Sequence, residues 1–325
     1  MKLGILGVSG HFVLRVLPGL VKSKTVEVYA VASRDGEKAK KAALQYNIPK
    51  HFASYEELLK DPDIDFVYIP LPNDLHLEWI KKAADYGKHV ICEKPIAMNA
   101  AEAQAAITYA GEKGIKVMEA FMYKFHPQWQ YALKLIKYGE IGKVTTIHTF
   151  FGYNNADPKN IRNIKANGGG AIYDIGCYAV STARFLLQAE PKRVFAKADI
   201  DPQFETDTLV HAMLDFGHVR TQFTIATQTF PYQRVQVYGT SGVLTVELPF
   251  NMYPDVPAKV FVQTGLGTRC VELGPVDQYQ IEFESFAEAI SEGTVLPIPA
   301  EDGIDNMKVL DALGKSVKSG EWQEV

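Results

Sequence analysis

Lys2-Leu3-Gly4-Ile5-Leu6-Gly7-Val8-Ser9-Gly10-His11-Phe12 is the stretch whose reading decides the fold. Lys2 to Leu6 reads as a buried strand, and an apolar helical run extends from Phe12 to about Val21. Strand, glycine-rich turn and helix is the context of a dinucleotide-binding fingerprint. Glycines there let backbone approach a pyrophosphate, and the helix N-terminus supplies N–H donors and a positive dipole. Gly7, Ser9 and Gly10 are the expected pyrophosphate-binding residues. The fingerprint is irregular, because its second glycine is replaced by Ser9 and its third by Phe12. A plain αβ turn has the same composition.

The next strand, Val26 to Ala32, ends in Ser33-Arg34-Asp35. An NAD-selective dehydrogenase carries an acid at this point to hold the ribose 2′-hydroxyl. A hydroxyl and a guanidinium instead suit a 2′-phosphate, which Arg grips with charge-assisted bonds. Ser33, Arg34 and Lys38, one helical turn on, favour NADP. Asp35, read as a displaced ribose acid, is the argument for NAD.

Gly36 to Tyr46 reads as an amphipathic helix, and Ser54-Tyr-Glu-Glu57 as a capping box. Ile64 to Pro70 is a buried strand leading into Leu71-Pro72-Asn73-Asp74-Leu75-His76, and a helix follows from Leu75 to Tyr86. His89-Val-Ile-Cys92 is another short buried strand, Asn99 caps a helix to about Lys113, and Ile115 to Ala120 is a further strand. Strands alternating with helices in this way form a parallel sheet with right-handed crossovers.

The strand His89–Cys92 delivers Glu93-Lys94-Pro95 to the carboxyl edge, where open α/β sheets bind ligands. Desolvation there lowers a lysine's pKa, while a neighbouring carboxylate keeps it charged. A surface Glu-Lys pair at a strand end is the alternative.

After about residue 122 the pattern changes. His126-Pro127 opens a helix to about Tyr138, with Pro in the first turn where its missing N–H costs nothing. Strands then predominate: Thr145–Phe151, Val194–Ala198, Thr208–Phe216, Arg220–Thr227, Val235–Tyr238, Val243–Glu247 and Lys259–Gln263. Many alternate polar and apolar residues, as in a one-faced antiparallel sheet. Helices Tyr279–Glu292 and Glu301–Lys318 close the chain. The expected organisation is α/β: a Rossmann-type dinucleotide-binding domain over 1–122, and an α+β substrate-binding and oligomerisation domain with a large, mostly antiparallel sheet over 123–325. Within the second, Gly168-Gly-Gly170-Ala-Ile-Tyr-Asp174-Ile-Gly-Cys-Tyr178 opens a helix to about Leu187. Four-residue spacing puts Asp174 and Tyr178 on one helix face. A helix-start acid and a core tyrosine have the same spacing.

Composition narrows the function. A chain of 325 residues exceeds one typical core, and 47% hydrophobic with 22% charged residues describes an ordinary globular protein. A net charge of −4 argues against a nucleic-acid surface or a basic membrane-binding face. Three cysteines without a C-x-x-C pair fit a reducing compartment, and Met1-Lys-Leu-Gly-Ile-Leu lacks signal-peptide architecture, so a cytoplasmic location is expected. No apolar run approaches a membrane span. Eight scattered histidines without H-E-x-x-H point to no catalytic metal.

In combination, Glu93-Lys94-Pro95 and Gly-Gly-Gly-Ala-x-x-Asp174-x-Gly-x-Tyr178 resemble the Gfo/Idh/MocA family of sugar oxidoreductases. Tyr68-Ile-Pro-Leu-Pro-Asn73-Asp-Leu-His76, Met118–Pro127, Asn160-Ile-Arg162 and Val237-Tyr-Gly-Thr-Ser-Gly242 match as well. The resemblance covers essentially the whole chain. Tyr178, where inositol dehydrogenases usually carry His, is similar to the branch with glucose–fructose oxidoreductase, dimeric dihydrodiol dehydrogenase and NADP-linked D-xylose dehydrogenase. The irregular glycine loop and Lys124, where that branch commonly has Arg, depart from the pattern.

The resemblance implies hydride transfer between a nicotinamide cofactor and a sugar or cyclic diol hydroxyl. Tyr178 is the candidate acid/base, its pKa lowered by Lys94, which would also hydrogen-bond the reacting oxygen. Asp174 would orient the lysine or a neighbouring hydroxyl. Pro70, Leu71, Asn73, His76, Glu93 and Lys94 would border the nicotinamide, and His126, Phe151, Tyr153 and Arg162 the sugar. A homodimer or larger homo-oligomer through the second-domain sheet is expected. The rival reading is a regulator of the same fold that responds to dinucleotide without turning over sugar.

Overall fold

Consecutive apolar residues at the strand positions bury a first sheet on both faces. Its strands are β1 (Lys2–Leu6), β2 (Glu27–Ala32), β3 (Lys50–Phe52), β4 (Phe66–Ile69), β5 (His89–Cys92) and β6 (Val117–Glu119) in a computed structural model that describes residues 1–325. All six pair in parallel in the order β3-β2-β1-β4-β5-β6. Strand order reverses between β1 and β4, the topological switch point at which such sheets bind ligands. Leu3, Ile5, Tyr68, Val90 and Ile91 are fully buried, each apolar side chain contributing about 1.5–3 kcal/mol. Gly4 lets a helix pack against β1: a Cβ there would lie 2.7 Å from Leu58 Cδ2.

The helices begin where the sequence provides caps. Asp35, Ser54 and Asn99 accept backbone N–H groups at the starts of helices Gly36–Tyr46, Tyr55–Leu59 and Ala100–Glu112. The helix after the glycine turn differs from expectation, because Phe12–Val16 is π-helical before Leu17–Leu20 becomes α. Phe12 is fully buried where a regular fingerprint has the glycine that permits close helix–strand packing, and the wider turn accommodates its ring.

The chain divides into Met1–Met122 with Asp277–Ile304, and Tyr123–Val276 with Asp305–Val325. The second region therefore does not run unbroken over 123–325, as the sequence led us to expect. Helix Gln278–Ser291 returns to the first unit, with Phe286 5.5 Å from Phe66 and Phe283 5.2 Å from Tyr68 between ring centroids. Its periodicity shows an apolar face without showing which sheet that face covers.

The second unit holds a nine-stranded sheet: β7 (Val144–Asn154), β8 (Arg193–Ile200), β9 (Asp207–Asp215), β10 (Arg220–Ala226), β11 (Gln228–Gly239), β12 (Gly242–Val246), β13 (Ala258–Thr264), β14 (Gly267–Leu273) and β15 (Gln323–Glu324). The order is β14-β13-β12-β11-β7-β10-β9-β8-β15, antiparallel except where β7 and β10 pair in parallel. Alternation along β7 buries Ile147, Thr149 and Phe151 on one face. The opposite face carries a groove of about 770 Å³ lined by His148, Phe150, His211, Thr224, Arg234 and Gln236 among others. No helix is long and apolar enough to cross a membrane.

Candidate active site

The first unit assembles a nucleotide-binding edge. Gly7 has φ +124°, and a Cβ there would lie 3.1 Å from Leu71 Cδ2, so the turn requires glycine. At Gly10 no atom lies within 4 Å of a Cβ position, which leaves open space beside the turn. Ser9 Oγ accepts the Phe12 N–H at 3.0 Å and caps the helix, explaining why serine replaces the expected glycine.

Beyond β2, Ser33 Oγ accepts the Asp35 N–H at 3.2 Å. The Asp35 carboxylate accepts the N–H groups of Glu37 and Lys38 at 3.1 and 3.2 Å. Asp35 is thus a helix cap, which answers the argument that it is a displaced ribose acid. Arg34 is exposed, its charge near the Tyr55 hydroxyl, which lies 3.6 Å from the Cβ position of Gly7. Burial pushes the Tyr55 pKa up, and the Arg34 charge partly offsets it. A glycine-only turn, a capped helix start and an exposed guanidinium beside it fit a dinucleotide with a 2′-phosphate.

At the carboxyl end of β5 the Glu93 carboxylate gathers three donors. Tyr68 Oη donates to Oε1 at 2.5 Å, the Lys94 N–H to Oε2 at 3.3 Å, and His11 Nε2 lies 3.4 Å from Oε1. Burial raises the Glu93 pKa, but His11, Lys94 and Tyr68 outweigh it and bring it down to about 2. Burial and the Glu93 charge together push Glu282, itself fully buried, well above the carboxylate range. Of the two acids, Glu93 carries the charge. The Lys94–Pro95 bond is cis, and the next turn is held by Ile96 N–H donating to Glu119 Oε1 at 2.9 Å.

His76, expected to border the nicotinamide, opens the helix His76–Asp85. Its ring is fully buried, with Nδ1 2.9 Å from the Pro95 carbonyl and Nε2 2.9 Å from the Leu71 carbonyl. It ties the loop after β4 to the turn after Lys94, and burial lowers its pKa. Pro70 and Leu71 are buried in that loop, and Asn73 opens the short 3₁₀ turn Asn73–Leu75.

In the second unit, Tyr178 is only 5% exposed. Its ring packs against Phe250, Phe151 and Tyr123 at centroid distances of 5.1, 5.8 and 5.9 Å. Tyr123 Oη and Ser181 Oγ are 2.8 Å apart, fixing one wall. Such aromatic contacts hold the phenol in one orientation. Phe151 is one wall behind Tyr178.

Asp174 Oδ2 accepts Tyr153 Oη at 2.6 Å and lies 3.0 Å from Arg162 Nε. Burial, then Asp174, push the Tyr153 pKa far up, so Tyr153 stays protonated. Asp174 likewise holds Arg162 firmly charged. The sequence places Arg162, Tyr153 and Asp174 in separate segments, and the fold brings them together. Asp174 lies in a π-helical segment, Ile172–Gly176, and the α-helix Cys177–Leu187 begins beside Tyr178. The regular α-helical spacing expected for this pair is therefore replaced by a π turn, a feature frequent at functional sites.

Contacts explain Gly170 in the glycine run before this helix. Gly170 has φ +117°, with a Cβ position 2.2 Å from Asp207 Oδ1, and Asp207 Oδ2 accepts the Ile172 N–H at 2.7 Å. His126, expected to line the sugar, precedes the helix Pro127–Lys137. It is fully buried, its Nδ1 accepts the Gln128 N–H at 3.2 Å as a helix cap, and burial lowers its pKa to about 4. Lys124 is nearly buried, 6.0 Å from the Phe185 ring centroid. No group of three or more His, Cys, Asp and Glu side chains gathers to hold a metal ion.

Glu282, Phe250 and Asp207 lie in no motif that marks them. Only the irregular glycine loop hinted that His11 and Phe12 do something a regular fingerprint does not.

Comparisons with known proteins agree with this layout. Residues 1–121 match the GFO/IDH/MocA oxidoreductase family's NAD-binding Rossmann fold, and residues 129–245 match a C-terminal domain of the same family. An uncharacterised oxidoreductase of Rhizobium meliloti is 39% identical over 100% of this chain and 99% of its own length. A D-xylose 1-dehydrogenase (NADP(+)) of Haloferax volcanii is 36% identical over 98% of both chains. Among solved structures, a 3-ketoreductase from Actinomadura kijaniata in complex with NADP and TDP-benzene superposes with a TM-score of 0.91, 28% identity and 97% coverage of both chains. These named relatives are enzymes, which disfavours the non-catalytic regulator. The chain belongs to the GFO/IDH/MocA family of oxidoreductases.

Proposed function

We propose that this oxidoreductase transfers a hydride between NADP and a hydroxyl-bearing carbon of a sugar, with Lys94 and Tyr178 as its catalytic residues. The observation that carries the reading is Tyr178 itself: a phenol 5% exposed, walled by three aromatic rings. When bound, NADP supplies the carbon that takes up the hydride. Tyr178 takes the hydroxyl proton as that hydride leaves, and returns it in the reverse direction. Lys94 donates a hydrogen bond to the reacting oxygen and stabilises charge developing there. Glu93, held ionised under Lys94, favours the ammonium form. Asp174 orients Arg162 and Tyr153.

For the cofactor, Arg34 with Ser33 and Lys38 takes the 2′-phosphate, and Gly7, Ser9 and Gly10 take the pyrophosphate. The NADP in the names of both the xylose dehydrogenase and the ketoreductase supports this choice. For the substrate, an aldose such as D-xylose or D-glucose comes first, a trans-dihydrodiol second and a keto-sugar third. Residues 1–122 serve the cofactor, and the second region serves the substrate and assembly. The open face of the nine-stranded sheet joins two copies, because a face carrying Phe150, Phe195 and Tyr232 is apolar surface that a partner would cover. The cytoplasm is the proposed location.

The test is a panel of aldoses, inositols and trans-dihydrodiols with NADP and NAD. NADP reduction by at least one aldose, faster than NAD reduction, is the expected outcome. Tight NADP binding without turnover of any member would count against the reading.

A further inference from the structure

We propose that His11 is a cofactor-binding residue whose imidazole shields the diphosphate of a bound dinucleotide from the Glu93 carboxylate. The inference rests on the reading of Gly7, Ser9 and Gly10 as the pyrophosphate turn, and deepens it.

His11 joins that turn to the end of β5. It follows Gly10 directly, and Ser9 holds the turn: its Oγ accepts the Phe12 N–H at 3.0 Å and its carbonyl the Val13 N–H at 3.2 Å. The His11 ring meets the Tyr279 ring edge-on, 5.6 Å between centroids, and its Nε2 lies 3.4 Å from Glu93 Oε1. The His11 side chain stays 31% exposed, against 15% for Glu93. One imidazole thus spans from the glycine turn to an ionised carboxylate and keeps part of its surface open to a ligand. Glu93 is fixed in place. Its N–H donates to the Ile69 carbonyl at 3.1 Å, and the fully buried Tyr68 donates to the same Oε1 that faces His11.

A diphosphate brings negative charge to the same sheet edge, where a partly desolvated carboxylate repels it more strongly than in water. Around His11 that carboxylate is the anion a ligand meets. On the helix Gln278–Ser291, burial keeps the Tyr279 hydroxyl protonated and, with the Glu93 charge, pushes Glu282 well above the carboxylate range. Asp277 caps the same helix, accepting the Tyr279 and Gln280 N–H groups, and Arg15 lies exposed one turn beyond His11. Lys94 donates its backbone N–H to Glu93 and adds positive charge from its own strand end. The side chains that touch the carboxylate are those of Tyr68 and His11. Burial, then Glu93, push the Tyr68 pKa up, so the phenol stays neutral, whereas an imidazole can carry positive charge. A ring N–H paired with the carboxylate reduces the field that reaches the ligand beyond it.

The experiment measures the Kd of NADP and of NAD by calorimetry near neutral pH for wild type, His11→Ala, His11→Lys, Glu93→Gln and the double variant His11→Ala with Glu93→Gln. His11→Ala should weaken both cofactors about equally, on the order of tenfold, because both carry the diphosphate. In the Glu93→Gln background the same change should cost no more than about twofold, since the charge to be shielded is gone. His11→Lys should bind within about threefold of wild type, and it keeps the test decisive should the Glu93→Gln proteins fail to fold. A tenfold loss in both backgrounds, a His11→Ala that binds like wild type, or a His11→Lys as weak as His11→Ala overturns the proposal. A wild type that binds neither cofactor defeats the dinucleotide reading itself, whereas wild-type binding with additive losses defeats only the role of His11.

Discussion

Replacing Glu93 by Gln removes a carboxylate that the first unit keeps ionised at some cost in desolvation. In the folded chain its pKa falls to about 2 from an ordinary 4.5. A difference of one between folded and unfolded pKa corresponds to about 1.4 kcal/mol, so the ionised form contributes roughly 3 kcal/mol to stability. The sign follows from the depressed value: the contribution is complete above the unfolded pKa and disappears as pH falls toward the folded one. Integrating the linkage, about 1 kcal/mol is gone by pH 4 and about 2 kcal/mol by pH 3. Glu93→Gln has no such titration, while its side-chain oxygen still accepts from Tyr68. The gap in stability between wild type and variant should therefore be widest near neutral pH and narrow by those amounts on acidification. Urea unfolding followed by tryptophan fluorescence reads it, since Trp79 is buried in the first unit. A gap that stays constant from pH 7 to 3 would refute the idea that Tyr68, His11 and Lys94 hold Glu93 ionised.

Two further outcomes follow from the cofactor and assembly proposals. Arg34→Ala should weaken NADP(H) by about 1.5–3 kcal/mol, the value of a hydrogen bond to a charged group, and NAD(H) much less; titration with both cofactors measures the difference. Equal weakening would remove the 2′-phosphate assignment. Light scattering at micromolar concentration should show a particle of two chains or a multiple of two, and a single-chain mass would count against an interface on the sheet.

Legibility in the sequence followed the reach of each signal. β1, β5 and helix Gly36–Tyr46 have the bounds read from periodicity and caps, because buried strands and amphipathic helices are set by neighbours along the chain. β3 has three residues and β15 two, too few for any alternation to register. β14 is a polar strand, Gly-Thr-Arg-Cys-Val-Glu-Leu, paired with β13, and only that pairing defines it. The return of Asp277–Ile304 to the first unit depends on Phe66 and Tyr68 lacking cover on one face, a tertiary fact. The π segments arise where Phe12 and Asp174 meet packing demands that a 3.6-residue period does not contain.

For the site, residue types were legible and their partners were not. Arg162, Tyr153 and Asp174 were each named, yet only folding shows that they bind one another. His76 and His126 are both fully buried, which their place in the sequence does not show. The glycine run 168–170 marks a tight turn in the sequence, and contacts with Arg162 and Asp207 give the reason for Gly169 and Gly170.

The most direct measurement of the central claim is kcat for Tyr178→Phe at neutral pH, with the aldose and NADP pair identified by the panel. The variant loses one hydroxyl and keeps the ring that packs against Phe250, Phe151 and Tyr123. If Tyr178 moves the proton, kcat falls on the order of 10²–10⁴-fold while NADP affinity is unchanged. A kcat within about twofold of wild type would contradict the account.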